Sequence, residues 1–182
     1  MFHWKLDNDI ELRLLQLRNA PAVFARVDED RAFLRVWLPW VDHHRDLADT
    51  ESFIREALEQ FVLGEAVHVG IWYGGAFAGV IGFHRINAEN HLGEIGYWLG
   101  EAFQGRGIMT QACRAMVAYG FSELKLNRIE IHCAPDNRKS RGIPERLGFK
   151  EEGILRQAER LHDRFVDNIV YGLVASDYDF GF

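Results

Sequence analysis

A mixed α/β (α+β) domain with a largely antiparallel sheet is what three patterns in this sequence predict. Residues 66–84, AVHVGIWYGGAFAGVIGFH, form two apolar runs around Gly74-Gly75, a hairpin signal. A long apolar stretch from about Ile108 to Leu124 has helical spacing and is followed by RIEIHCA, which alternates like a strand. No repeat, low-complexity tract or linker interrupts the 182 residues, so a single domain over 1–182 is expected.

The elements follow in order. In DIELRLLQL at 9–17, Ile10, Leu12 and Leu14 alternate with Glu11 and Arg13, a strand. Asn19 offers an N-cap and Pro21 sits in the first turn of a helix running toward Leu38, which Pro39 should stop. Asp46 or Asp49 opens a second helix with Phe53, Ala57 or Leu58, and Phe61 on one stripe. After the hairpin comes a third run, GEIGYWLG at 93–100. The helix from Ile108 presents Ala112, Cys113, Met116, Val117, Gly120, Phe121 and Leu124 to a sheet. In RIEIHCA, Ile129, Ile131 and Cys133 face one way and Glu130 and His132 the other. A loop, PDNRKSRG, leads to a short helix ending at Leu147-Gly148. Segments 149–158 and 164–174 then form a last hairpin around LHDR.

Composition excludes several classes. The net charge of −6 leaves no basic face for nucleic acid, and it is compatible with cationic acceptors. No run approaches the roughly 18 apolar residues of a membrane span, and MFHWKLDNDIELRL lacks the basic and apolar regions of a secretory signal. The two cysteines, Cys113 and Cys133, lie on separate apolar elements, which fits a reduced, cytoplasmic setting. His43-His44 are adjacent and so do not face one point, and no His-x-x-x-His or Cys-x-x-Cys spacing occurs; no metal is expected.

The stretch EAFQGRGIMTQAC at 101–113 raises the question of a ligand. A Walker A loop would need Gly-Lys-Ser/Thr where this chain has Gly107-Ile108-Met109, and a dinucleotide fingerprint would need a third glycine near Gln111. What remains is a helix N-terminus with bare backbone. Gly105 and Gly107 permit positive φ, the first N–H groups of the helix are free, and Arg106 adds a positive charge, together suited to a pyrophosphate.

Gln104-x-x-Gly107 after the strand EIGYWL resembles the acyl-CoA pyrophosphate loop of the GNAT superfamily of N-acetyltransferases, with Met109 departing from the small residue that ends the pattern. WLPW at 37–40, EIGYWL at 94–99, LNRIEI at 126–131, NRKS at 137–140, ERLGF at 145–149, EEG at 151–153 and Asp167-x-x-x-Tyr171 resemble, in order, the ribosomal-protein N-terminal acetyltransferase branch, the RimL type. The resemblance implies a GNAT-like central sheet split at the acetyl-CoA site and flanked by helices. Acetyl-CoA would then be the co-substrate, a primary amine the acceptor, and a homodimer possible.

It also implies site residues. The strand Ile95, Gly96, Tyr97, Trp98 and Leu99 would pair with pantetheine, with Gly96 at a bulge. Gln104, Gly105, Arg106, Gly107, Ile108, Met109 and Thr110 would hold the diphosphate, and Asn137 and Ser140 the pantetheine arm. Glu159, in a Gln-Ala-Glu stretch at the turn of the last hairpin, or Glu94, at the start of the 94–99 strand, would take the amine's proton. Ser140 would return one to the thiolate. Read as residues alone, Glu159 is a solvated turn carboxylate, Glu94 a cross-strand ion pair and Ser140 a helix cap.

An α-amine titrates near 8 and a lysine near 10.4, a difference of about 3 kcal/mol in deprotonation, which favours a protein N-terminus over a lysine. Asp28, Glu29, Asp30, Asp42, Asp46, Asp49 and Glu51 keep a polyamine or aminoglycoside in view as acceptor, and loss of catalysis would leave an acyl-CoA-binding domain.

Overall fold

The chain enters its sheet earlier than the pattern suggests. In the computed structural model, which describes residues 3–178, β1 (His3–Lys5) pairs antiparallel with β2 (Ile10–Leu14). The first two and last four residues of the expected domain lie outside the described ones. After β2, Leu17–Asn19 form a 3-10 turn rather than more strand, and the Asn19 carboxamide oxygen accepts the Gln16 N–H at 2.9 Å. Asn19 therefore closes that turn and makes no side-chain cap on α1 (Ala20–Glu29).

The helix expected to reach Leu38 breaks at Asp30. A short α2 (Arg31–Leu34) follows, and Pro39 opens a 3-10 turn, Pro39–Asp42, instead of ending a helix. In α3 (Leu47–Leu63) the cap is Asp46, whose side chain accepts from the Asp49 N–H while Asp49 reaches back. The buried stripe is Thr50, Ile54 and Ala57; of the stripe expected, Ala57 is buried and Phe53, Leu58 and Phe61 are partly buried against the two cores.

β3 (Val67–Tyr73) and β4 (Ala76–Asn87) form the hairpin, with Gly74 and Gly75 both at positive φ as a two-residue turn demands. β5 (Leu92–Leu99), α4 (Ile108–Ser122), β6 (Arg128–Cys133), α5 (Arg138–Arg146), β7 (Lys150–Leu161) and β8 (Arg164–Val174) complete the chain. The sheet order is β1-β2-β3-β4-β5-β6-β8-β7, with β5–β6 the parallel pair among antiparallel neighbours.

Strand alternation sends the two faces to different helices. Ile95, Ile129, Ile131 and Cys133 pack with Ile108, Ala112, Met116 and Phe121 of α4 in the larger core. Each large aliphatic buried there contributes roughly 1.5–3 kcal/mol. On the opposite face Leu15, Trp72, Phe77 and Val80 pack with Ala20 and Val23 of α1 and Ile54 of α3, and Trp98 packs against that second cluster.

One register feature matters most for function. β5 and β6 are paired only from Leu92–Arg128 to Glu94–Glu130, although β5 continues to Leu99 and β6 to Cys133. Past that point the two strands separate and the sheet is open between them.

Candidate active site

A cleft of about 880 Å³ runs along the open edge of β5 and past the start of α4 and α5. Tyr97, Trp98 and Leu99 line it from the strand, Gln104 through Thr110 from the loop, and Asn137 and Ser140 from α5. Of the cofactor-side residues expected from the sequence, Ile95 and Gly96 do not line it. Ile95 points into the core at 1% exposure. Gly96 is paired opposite Gly82; the bulge lies on β4, between Phe83 and Arg85, and a Cβ on Gly96 would meet the bulged His84 ring. Its smallness makes room for His84 instead of bending its own strand.

Phe33, Leu34, Trp37 and Leu38 close one side of the cleft, a contribution that the sequence pattern did not assign to the ligand.

The glycine loop has the geometry of an anion seat. Gly105 and Gly107 lie at φ +73° and +74°, and Gly107 caps α4 with no side chain in the way. The first intrahelical bond runs from the Gln111 N–H to the Gly107 carbonyl, so the Ile108, Met109 and Thr110 N–H groups open toward the cleft at the positive end of the helix dipole. Arg106, Arg138, Lys139 and Arg146 line this end, with Asp136. Lys139 Nζ donates to Gln104 Oε1 at 2.8 Å and Arg146 to Thr110 Oγ1 at 3.1 Å, which spreads the positive charge over the loop. Arg141 turns away, donating to Tyr171 Oη and the Pro135 carbonyl.

Ser140 sits where the strands part. Its N–H is capped by Asn137 Oδ1 at 3.2 Å, which makes Asn137 the helix cap and leaves the serine hydroxyl for other work. Ser140 Oγ lies 3.3 Å from Tyr97 Oη and 3.2 Å from Cys133 Sγ. The Tyr97 phenol donates to the Ser140 carbonyl at 3.0 Å, tying β5 to α5 across the opening. Burial pushes the Tyr97 phenol well above its ordinary value and raises the Cys133 thiol, so both stay protonated.

The two glutamates expected as bases are on the other face of the sheet, away from the cleft lining. Glu94 Oε1 is 3.1 Å from His132 Nδ1 and 3.3 Å from His84 Nε2, while His132 Nε2 is 3.0 Å from Glu130 Oε2. Arg128 joins Glu130 at 2.7 Å and also pairs with Glu152. Hydrogen bonding from His84 holds the Glu94 carboxyl below the usual carboxylate range against a smaller opposing effect of burial. Glu159 is not at the turn, which is His162-Asp163. It sits within β7 opposite Val166, after a bulge in which Gln157 takes φ +50° and donates its N–H to Asp167 Oδ1. Glu159 Oε2 accepts from Asn168 Nδ2 at 3.4 Å.

Of the seven acidic residues considered for a polycation, all but Glu51 are engaged. Arg26 binds Glu29 and Asp30, Arg31 binds Asp28, Arg35 binds Asp42, and Asp46 and Asp49 form the cap of α3. Asp42 also meets His162 Nδ1 at 3.0 Å, and His162 Nε2 donates to the Arg35 carbonyl at 2.7 Å. The tip of the β7–β8 hairpin is thereby fastened to the segment after α2. Of the adjacent histidines, His44 is buried against Thr50 Oγ1 at 2.6 Å.

An opened sheet with an anion seat at one end and protonated hydroxyls at the other belongs to a transferase working on a long, phosphate-bearing donor. Residues 9–150 match the model of the acetyltransferase (GNAT) domain, and the chain belongs to that family. It is 34% identical over 181 residues to YdaF of Bacillus subtilis (strain 168), covering 98% of both chains. It is 31% identical to the ribosomal-protein-serine acetyltransferase of Escherichia coli (strain K12), covering 93% of this chain and 95% of that one. Its fold superposes with TM-score 0.92 and 28% identity on RimL, a ribosomal L7/L12 alpha-N-protein acetyltransferase in complex with coenzyme A, over 97% of this chain and 99% of that one. The protein is an acetyl-CoA-dependent N-acetyltransferase with the split GNAT sheet.

Proposed function

We propose that the acceptor is the N-terminal α-amine of a protein, a ribosomal protein being the favoured class, and that the whole chain works as a single domain in the cytoplasm. The carrying observation is that Asp28, Glu29, Asp30 and Asp42 are bound to arginines and Asp46 and Asp49 are spent on a helix cap, which takes six of the seven carboxylates considered for a polycation out of play. The ribosomal-protein enzymes to which the chain is similar along its length support the same acceptor.

In this reading Gln104 to Thr110 hold the diphosphate, Tyr97 to Leu99 offer backbone to pantetheine, and Asn137 and Ser140 flank its end. Glu159 removes a proton from the ammonium. The neutral nitrogen attacks the thioester carbonyl, a C–N bond forms, the C–S bond breaks, and the Ser140 hydroxyl protonates the departing thiolate while recovering its own proton from solvent or the amine. One ammonium and one thioester give one amide, one thiol and one proton. Glu94 serves through its His132 pair as support for the strand end rather than as first base, since a carboxylate held below its usual range is a weaker proton acceptor. The exposed edge strand β7, with Ile154 and Leu155 outward and Phe165 exposed on the neighbouring β8, supports a homodimer.

The test is an acetyl-CoA turnover screen reading thiol release and product mass. Peptides with free N-termini, the same peptides blocked at the α-amine, and small amines serve as acceptors. Activity lost on blocking supports the reading; activity confined to small amines overturns it.

A further inference from the structure

Positive charge is gathered in one place on a chain whose net charge is −6. Beside the cleft lies a second, smaller cavity of about 200 Å³, walled by Arg114, Val117, Arg146, Leu147 and Tyr178. Arg146 lines both spaces, so they adjoin at its side chain. Together they carry Arg106, Arg114, Arg138, Lys139 and Arg146, with Asp136 the one carboxylate among their described lining residues.

These cations differ in what already engages them. Lys139 donates to Gln104 Oε1, and its ammonium lies 5.9 Å from the centre of the Phe33 ring. Arg106 lies over the Tyr73 ring. Arg146 gives one nitrogen, Nη2, to Thr110 Oγ1, which leaves the remaining donors of its guanidinium for another group. That guanidinium folds back over Gly142, where an added Cβ would come within 2.9 Å of Nη1. A glycine inside a helix is a costly choice, and here its missing side chain leaves the room that the arginine occupies. Arg114 is exposed, and among the described residues nothing pairs with it.

Spacing relates the smaller cavity to the loop. Thr110 and Arg114 are four residues apart on α4, on one face and about 6 Å apart along its axis. In coenzyme A a single ribose separates the 5′-diphosphate from the 3′-phosphate. With the diphosphate at Gln104–Thr110, the 3′-phosphate falls one turn further along α4, between Arg114 and Arg146. We propose that these two arginines form a phosphomonoester subsite for the 3′-phosphate, so that the enzyme selects coenzyme A thioesters over their dephospho forms. The proposal rests on the diphosphate lying on the glycine loop. Guanidinium forks suit such a group, whose oxygens accept paired N–H bonds from each. Arg146 then joins the two phosphate sites, one nitrogen on the loop and the others on the monoester.

Calorimetric titration tests this with coenzyme A and with dephospho-coenzyme A, which lacks only the 3′-phosphate. The proteins are wild type, Arg114→Gln, Arg146→Gln, Arg138→Gln and Gly107→Ala. Both subsite arginines are exposed, so their variants should keep the wild-type Tm. Wild type should bind coenzyme A about tenfold more tightly than the dephospho form, as charge-assisted hydrogen bonds allow. Arg114→Gln and Arg146→Gln should each shrink that ratio to about threefold or less. The ratio is the readout because Arg146→Gln also loses the Thr110 bond and weakens both ligands. Arg138→Gln should leave it unchanged. A wild-type ratio near one overturns the subsite, as does a ratio that survives in both the Arg114 and Arg146 variants or collapses only in Arg138→Gln. Gly107→Ala should weaken both ligands equally; if it weakens neither, the diphosphate reading falls instead.

Discussion

Glu94 and His132 lie 3.1 Å apart across the last paired position of β5 and β6, just before those strands separate. Both imidazole nitrogens of His132 face carboxylates: Nε2 hydrogen-bonds Glu130 Oε2 at 3.0 Å and Nδ1 lies within ion-pair distance of Glu94 Oε1. His132 thereby links the two strand ends where the ladder of backbone hydrogen bonds stops.

From this pairing, Glu94→Gln should act mainly on stability. It should cost about 1.5–3 kcal/mol, the range for hydrogen bonds to charged groups, in chemical denaturation. It should lower kcat by less than tenfold, whereas Glu159→Gln should lower it by about 10²–10³-fold, within the range of a lost general base. A larger kinetic loss from Glu94→Gln than from Glu159→Gln would reverse the two roles.

Tyr97→Phe removes the bond that holds the Ser140 carbonyl and the acceptor for its hydroxyl. Turnover should fall roughly tenfold with KM for acetyl-CoA almost unchanged, since the loss bears on orientation at the reacting sulfur. In a Ser140→Ala background the same change should cost little more. Full additivity in the double variant would show that the tyrosine acts independently of the serine.

Gly107→Ala tests the anion seat. No atom lies within 4 Å of the added Cβ, so the effect is the positive φ alone, about 1–2 kcal/mol of strain. Calorimetric titration should show weaker binding of coenzyme A and equally of dephospho-coenzyme A, which keeps the diphosphate, with analogues that lack the diphosphate less affected.

His68 supplies a pH dependence. Burial lowers it from 6.5 to about 4, with a smaller contribution from His84, and its ring stacks edge-on with Phe53. The folded protein keeps it neutral while the unfolded chain protonates it below about 6.5, so the unfolded state binds the extra proton and stability falls as pH drops from 6.5 toward 4. The slope approaches about 1.4 kcal/mol per pH unit. His68→Met should remove most of that slope in denaturation at pH 5 and 7.5; an unchanged slope would assign it to other groups.

Much of this architecture is written in local pattern. The Gly74-Gly75 hairpin, the alternation of Ile129, Ile131 and Cys133, and the glycine loop ahead of α4 depend on neighbouring residues, so they can be read directly. The break at Asp30 cannot, because Arg26 and Gly100 hold that residue from outside the helix stripe: Asp30 pairs with Arg26 and packs under Gly100. The Gly96 misreading has the same origin, since the bulge that uses its space is on the partner strand. His84, His132, Asn168 and the Arg35–Asp42–His162 clasp come together from segments far apart in sequence. The one local hint was a pair of polar residues, Asp167-Asn168, inside the otherwise apolar end of the chain.

The opening between β5 and β6 also bears on the order of events. In the proposed mechanism, with Ser140 on one face and Glu159 on the other, donor and acceptor would approach from opposite sides of the sheet and meet through the seam. Cys133, the thiol at that level, is buried and held protonated, so it is a poor relay for the acetyl group. Transfer should run directly within a ternary complex: initial-rate lines that intersect, and no acetyl-enzyme when acetyl-CoA is supplied alone.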